Sequence, residues 1–263
     1  MFGFVYEDSD IESDSIAEYL NDNNKINIDS GLMILSGGCT MFNIANHFNS
    51  LTALDTNIEQ INLVKEKISI IENNDKKYYD AYLKNIDMNF DRMFKNIKNK
   101  NDIIHIFERD NLIKNFGIDA VQNTSHNFIE HFIKVYDSNS NYHDFIFNRN
   151  MDIKTKYFYK YYENINKIKN VNIINDNMIT YLENNNKKYD FIQTSNITDW
   201  ICNDEFIKIC SLLKSKLNKN GIIIMRRMLS DNILQNYFPN CIILHDKTNI
   251  YSETILWRNN ISD

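Results

Sequence analysis

Three parts of this sequence combine residue types that could hold and orient a polar ligand. The first is Ser36-Gly37-Gly38-Cys39, directly after the apolar run Leu32–Leu35. Glycines in such a turn let the backbone approach a ligand closely, and a helix starting there offers free N–H groups. The second is Asp55, which closes the run Leu51–Leu54. A carboxylate there can accept both hydroxyls of a ribose, as the acidic residue of dinucleotide folds does. The alternative is an N-cap for the helical pattern that follows. The third part joins Asp176-Asn177-Met178, after Val171–Ile174, to Ser195, Asn196, Asp199 and Trp200, after Tyr189–Thr194. Like the Ser36–Cys39 turn and Asp55, these residues follow apolar runs, and both groups offer polar side chains to a ligand. An aromatic face beside carboxylates suits a cation; alternatively, Trp200 packs on the next helix.

These residues need a scaffold that brings them to one edge, and the hydrophobic pattern supplies it. Seven β-rich runs stand out: the four above, then Gly221–Arg226, Cys241–His245 and Thr254–Trp257. Several are unbroken apolar runs, as expected of strands buried on both faces of a parallel sheet. Helical spacing relates Ile61, Val64, Ile68 and Ile71 within Ile58–Ile71, and Phe206, Ile209, Leu213 and Leu217 within Asp204–Leu217; Asn220-Gly221 then reads as a helix stop. Strands alternating with helices predict a Rossmann-like, doubly wound seven-stranded α/β sheet with right-handed crossovers. Its last two strands, joined by a loop, should form an antiparallel hairpin at one edge. Ligands of such sheets bind beyond the carboxyl ends of the strands, where all three parts fall. Residues 73–169 break the alternation: Ile86, Phe90, Met93, Phe94 and Ile97 recur at helical spacing and no strand stands out. We expect one domain, 1–263, with a lead segment 1–30 and a helical insertion 73–169 serving as lid or acceptor pocket.

Composition narrows the function classes. The chain has 263 residues, 43% of them hydrophobic, enough for a real core and against a wholly disordered chain. Its net charge of −6 gives no global attraction for a phosphate backbone, so no nucleic-acid partner is expected. The cysteines, Cys39, Cys202, Cys210 and Cys241, form no C-x-x-C pair, and His126 and His131 around Glu130 lack the spacing of a zinc helix; no metal is expected. No run approaches the ~20 apolar residues of a membrane span, and the acidic N-terminus lacks the order of a signal peptide. A cytoplasmic protein is expected, with peripheral membrane contact left open.

The motifs also occur in a distinctive series. Tyr6-Glu7-Asp8 opens it, followed by Ser36-Gly37-Gly38-Cys39-Thr40, then Leu54-Asp55-Thr56-Asn57 with Gln60, Leu63 and Lys67. Phe116-Gly117 follows, then Ser195-Asn196-Ile197-Thr198-Asp199-Trp200, and finally Asn220-Gly221 through Arg226. The series resembles the S-adenosylmethionine-dependent 3-amino-3-carboxypropyltransferases of betaine-lipid synthesis, which make diacylglyceryl-homoserine. It departs from that pattern at Ile58, where the family has proline, and by one glycine before Arg226. The middle of the chain matches weakly.

The resemblance implies S-adenosylmethionine as cofactor, with Ser36, Gly37, Gly38, Cys39, Asp55, Asn57, Gln60, Asp176, Asn177, Met178, Ser195, Asn196 and Trp200 around it. It implies transfer of the aminocarboxypropyl group to an acceptor, a diacylglycerol hydroxyl or a small molecule, with methylthioadenosine released. Arg226 is a clamp for the cofactor carboxylate or a partner for Asp199. Glu7, Asp8 and Asp199 are alternatives for deprotonating the acceptor. A methyltransferase, or a non-catalytic S-adenosylmethionine-binding protein, would share the fold.

Overall fold

All seven β-rich runs form strands of a single sheet in the computed structural model. The structure describes residues 13–22, 28–86, 97–106, 108, 110, 111, 113, 125–138, 143, 157–228, 232–245 and 251–259. Helix α1 (Asp14–Asp22) precedes β1 (Ser30–Ile34), α2 (Cys39–Ile44), β2 (Ser50–Asp55), α3 (Ile58–Glu72) and α4 (Lys76–Ile86). After the helical region come β3 (Asn172–Asn175), β4 (Tyr189–Gln193), β5 (Leu217–Arg227), β6 (Ile242–Ile243) and β7 (Glu253–Arg258). The strand order is β3-β2-β1-β4-β5-β7-β6. Neighbours from β3 to β5 are parallel, while β7 runs antiparallel to both β5 and β6. This is the Rossmann-like seven-stranded sheet expected from the apolar runs, with its terminal hairpin at one edge.

Alternation along the strands builds two cores. Leu32, Leu54, Ile192 and Ile223 face the helices Met178–Asn184 and Asn203–Ser215. Met33, Ala53, Phe191, Ile222 and Ile224 face α1, α2, α3 and α4. Helix α3 buries Ile61, Val64 and Ile71 on the predicted stripe, with Ile68 partly buried against it. Strand order reverses at β1, which lies between β2 and β4. Chains leaving β1 and β4 therefore diverge, and a crevice opens at their carboxyl ends.

The helix before β5 ends earlier than the pattern indicates. It spans Asn203–Ser215, and Leu217 already begins β5 opposite Tyr189. Asn220, with φ 63, makes an irregularity inside that strand instead of stopping the helix, and the pairing register shifts between Tyr189 and Phe191. Leu217 is buried from either element, so helical spacing alone could not separate the two.

Within 73–169 the elements among the described residues are helices: α4, then Lys100–Ile106, Ser125–Tyr136, Phe158–Glu163 and Ile165–Lys169. Ile103, Phe132, Phe158 and Tyr161 join the core shared with α2 and α3. Phe90, Met93 and Phe94 lie outside the described residues, and Ile97 is partly buried against that core, outside any helix.

At the amino end of the sheet, Asp190 ties β1, β4 and β5 together. Its carboxylate accepts from the Asp29 and Ser30 N–H groups, the Ser30 hydroxyl and Asn218 Nδ2. Burial pushes this carboxyl up, but the donors from Asn218, Ser30 and Asp29 outweigh it and hold it below its ordinary value.

Candidate functional site

The turn after β1 is held from below by two contacts. The Leu35 N–H reaches the Leu54 carbonyl at 2.7 Å, and the Gly38 N–H the Leu35 carbonyl at 2.9 Å. Gly38 has φ 87, and a Cβ there would lie 3.0 Å from Val64 Cγ2, so glycine is required both by backbone angle and by the approach of α3. Ser36 is also left-handed, at φ 48, without the freedom of a glycine. Beneath the turn lies Lys67 of α3, fully buried. Its Nζ donates to the Gly37 carbonyl at 2.7 Å, lies 3.4 Å from Cys39 Sγ and sits 5.1 Å from the Phe42 ring centre. The buried Lys67 amine thus fixes which way the glycine carbonyl points.

Asp55 ends β2 next to this turn. Its carboxylate accepts from the backbone N–H groups of Asn57, at 2.9 Å, and of Ser36 and Thr56. Burial pushes the carboxyl up to about 6, against the three N–H groups, which favour the charged form. Asp190 and Asp55 therefore behave oppositely within one sheet. The first is satisfied by protein donors, whereas the second is desolvated and would gain from further donors. The helix-cap alternative for Asp55 is not what forms: Asn57 caps α3, its side-chain oxygen accepting from the Glu59 N–H at 3.0 Å. Gln60 is buried in the first turn of the same helix.

The end of β3 adjoins Asp55. The Asp176 N–H and Asn175 Nδ2 both donate to the Asp55 carbonyl, at 3.1 and 2.8 Å. Asp176 Oδ1 accepts from the Asn177 N–H at 2.7 Å. Asn177 Oδ1 caps the next helix, accepting from Ile179 and Thr180, and Met178 is buried among Leu182 and Ile179. The structure thus gives Asn57, Asn177 and Met178 local structural work, while Asp55 and Asp176 stand at the strand ends.

On the other side of β1, Ser195 follows β4 with φ 52 and accepts from the Arg226 N–H at 2.9 Å. Two non-glycine residues, Ser36 and Ser195, are thus left-handed at adjacent strand ends. Such strain of order 1–3 kcal/mol each persists only where surroundings enforce it, and it concentrates at ligand sites. Asn196 Nδ2 donates to Asp199 Oδ2 at 2.9 Å, and the same oxygen accepts from the Met228 N–H at 3.0 Å. Asp199 is therefore a buried brace between the loops after β4 and β5. Arg226 is buried, with its guanidinium carbon 4.8 Å from the Tyr251 ring centre. Trp200 is half-buried and packs on the core of the α2 and α3 face. Glu7 and Asp8 lie outside the described residues.

Sequence reasoning left Lys67 as a motif match without a role, and it missed Gln193 and Thr254 altogether. Gln193 Oε1 and Thr254 Oγ1 are buried polar atoms without a hydrogen-bond partner. Gln193 is level with Met33 and Ile224, and Thr254 with Arg226, all on the α2 and α3 face near the carboxyl edge. A glutamine within the otherwise apolar Tyr189–Thr194 run was the available signal.

The donor set suits a nucleoside bearing a polar arm. A desolvated carboxylate at β2 can accept from ribose hydroxyls, the glycine turn at β1 allows a close backbone approach, and an acceptor without a donor stands at β4. No helix among the described residues is long and apolar enough to cross a membrane.

No family model matches the chain, and no curated protein matches it. Among solved structures, it is similar to an S-adenosylmethionine-dependent methyltransferase from Clostridium acetobutylicum, at 15% identity over 97% of this chain, with TM-score 0.41. It spans 63% of that protein's length. It is also similar to the rRNA methyltransferase aviRa from Streptomyces viridochromogenes (8% identity, 93% of this chain and 84% of that one, TM-score 0.43). TehB from Haemophilus influenzae matches at 12% identity over 92% of this chain and 62% of its own, with TM-score 0.40. These are distant likenesses.

Proposed function

We propose that this chain is an S-adenosylmethionine-dependent transferase, with Asp55 accepting the ribose hydroxyls. The Ser36–Cys39 turn lies against the cofactor's middle, and the loops after β3 and β4 lie at its two ends. The observation that carries this reading is the Asp55 carboxylate. It ends β2, the strand beside the switch of strand order at β1, is joined to the Ser36 N–H, and is desolvated enough to be lifted to about 6.

The group moved, we infer, is the 3-amino-3-carboxypropyl arm. Support comes from the motif series, in which Ser36–Thr40, Asp55–Gln60 and Asp199-Trp200 occur together and in order. The cofactor supplies an electrophilic carbon on a sulfonium, and the residues around it decide which carbon meets the acceptor. Lys67 fixes the glycine turn, and Asp199 Oδ2 ties Asn196 to the Met228 N–H. In-line geometry is steep in its effect: a reacting carbon displaced by about 1 Å costs on the order of 10²-fold. Glu7, Asp8 and Asp199 are the acids offered for deprotonating the acceptor, a hydroxyl of a lipid or of a small molecule. The acceptor pocket is assigned to 73–169, where the motif series is weakest.

Product analysis tests this. Incubated with S-adenosylmethionine and a cell extract as acceptor source, the protein should release methylthioadenosine. S-adenosylhomocysteine as main product would establish methyl transfer instead. Cofactor retained unchanged would mark a binding protein.

A further inference from the structure

Gln193 is the last residue of β4 and is only 1% exposed, yet its Oε1 accepts no hydrogen bond. A buried amide oxygen without a donor is expensive, and the fold does nothing locally to relieve it. Its position narrows what would. Gln193 is level with Met33 on β1 and Ile224 on β5, both in the core beneath α2 and α3, so it lies on the face over which the Ser36–Cys39 turn enters α2. Asp55 ends β2, two strands away across β1.

Two strand spacings are about 9–10 Å, and the register sets Gln193 level with Ala53, two residues or about 7 Å short of Asp55, so the two Cα atoms are about 12 Å apart. The extended path from a ribose hydroxyl through the sulfur to the α-nitrogen of S-adenosylmethionine crosses eight bonds, about 9–10 Å at ordinary bond lengths, and a hydrogen bond of about 2.8 Å at each end completes the span. Arg226 and Thr254, on β5 and β7, lie one and two strands further from Asp55. An oxygen that can only accept wants a donor, and a cationic ammonium is the strongest donor on that arm.

We infer that Gln193 Oε1 is the recognition group for the α-ammonium of the cofactor's amino-acid arm. This rests on the S-adenosylmethionine reading above and adds a specificity determinant to it. Without ligand the oxygen is unsatisfied; with ligand it holds the arm's end, and Asp55 holds the other end.

Calorimetric titration of the full chain tests this with three probes. These are S-adenosylhomocysteine, its analogue with hydrogen in place of the amino group, and methylthioadenosine, which lacks the amino-acid end. Gln193→Leu should weaken S-adenosylhomocysteine by about 10- to 100-fold, the value of a hydrogen bond to a charged group. The other two probes should bind the variant as they bind the parent. The ligand-free variant should melt at the same temperature or higher, because a buried unpaired oxygen has gone. If leucine prevents folding, Gln193→Met is the unbranched replacement of similar volume and carries the same expectation.

Equal losses for all three probes, unchanged S-adenosylhomocysteine affinity, or a lowered melting temperature in both variants would overturn the assignment. Failure of the unaltered protein to bind any of the three would overturn the cofactor reading, and the assignment with it. Normal binding by the parent with indifference to position 193 removes the assignment alone.

Discussion

Asp55 offers a direct test, because its unusual ionisation and its proposed task are linked. Burial lifts its carboxyl from the ordinary 3.8 to about 6. A carboxylate accepts two ribose hydroxyls, whereas the protonated form loses part of that capacity. With the midpoint near 6, about one molecule in ten carries the charge at pH 5 and nearly all do at pH 7.5, so affinity for S-adenosylhomocysteine should fall about tenfold between these values. A carboxyl at its ordinary value would stay ionised across the whole window and leave affinity flat. The stability of the ligand-free protein should move in the opposite sense. Because the folded-state value is the raised one, the folded chain holds its proton to higher pH than the unfolded chain. Stability is then greatest below pH 4, declines as pH rises towards 6 and levels off above, by at most about 3 kcal/mol for this group. Asp55→Asn should abolish the pH dependence and lower affinity at pH 7.5 by about 10- to 100-fold, the loss of charge-assisted acceptance. Calorimetry and thermal melts across pH 5–7.5 measure both effects. A flat affinity profile in folded protein, or full affinity in Asp55→Asn, would refute the ribose assignment.

Two further outcomes follow from the local geometry. Gly38→Ala should destabilise the chain by about 1–3 kcal/mol in urea unfolding, since it adds a methyl group 3.0 Å from Val64 Cγ2 at φ 87. Asn57→Ala should cost about 1 kcal/mol through loss of the α3 cap, with little change in nucleoside affinity; a tenfold loss of affinity in a stable variant would return Asn57 to the ligand.

The periodicity of the chain already contained the sheet. Runs such as Ile222–Met225 are apolar throughout because both faces of the strand are covered, and the seven runs in their order left little topological choice. The Ser36–Cys39 turn and Asp55 were also legible, because a glycine pair and an acid at strand ends are local patterns. What the sequence could not decide was which polar residues are already satisfied. Asp190 and Asp55 look alike as residues beside apolar runs. Only the fold brings Ser30 and Asn218 to the first and leaves the second desolvated among three backbone N–H groups. Asn57 and Asn177 read as ligand residues, and only the fold shows that their side chains also cap the helices they precede. Lys67 and Gln193 sit on an α3 stripe and in a strand, and their significance depends on partners brought close by packing, or on partners withheld. Hydrogen-bond satisfaction depends on distances between residues remote in the chain, and no pattern along a single sequence encodes those distances.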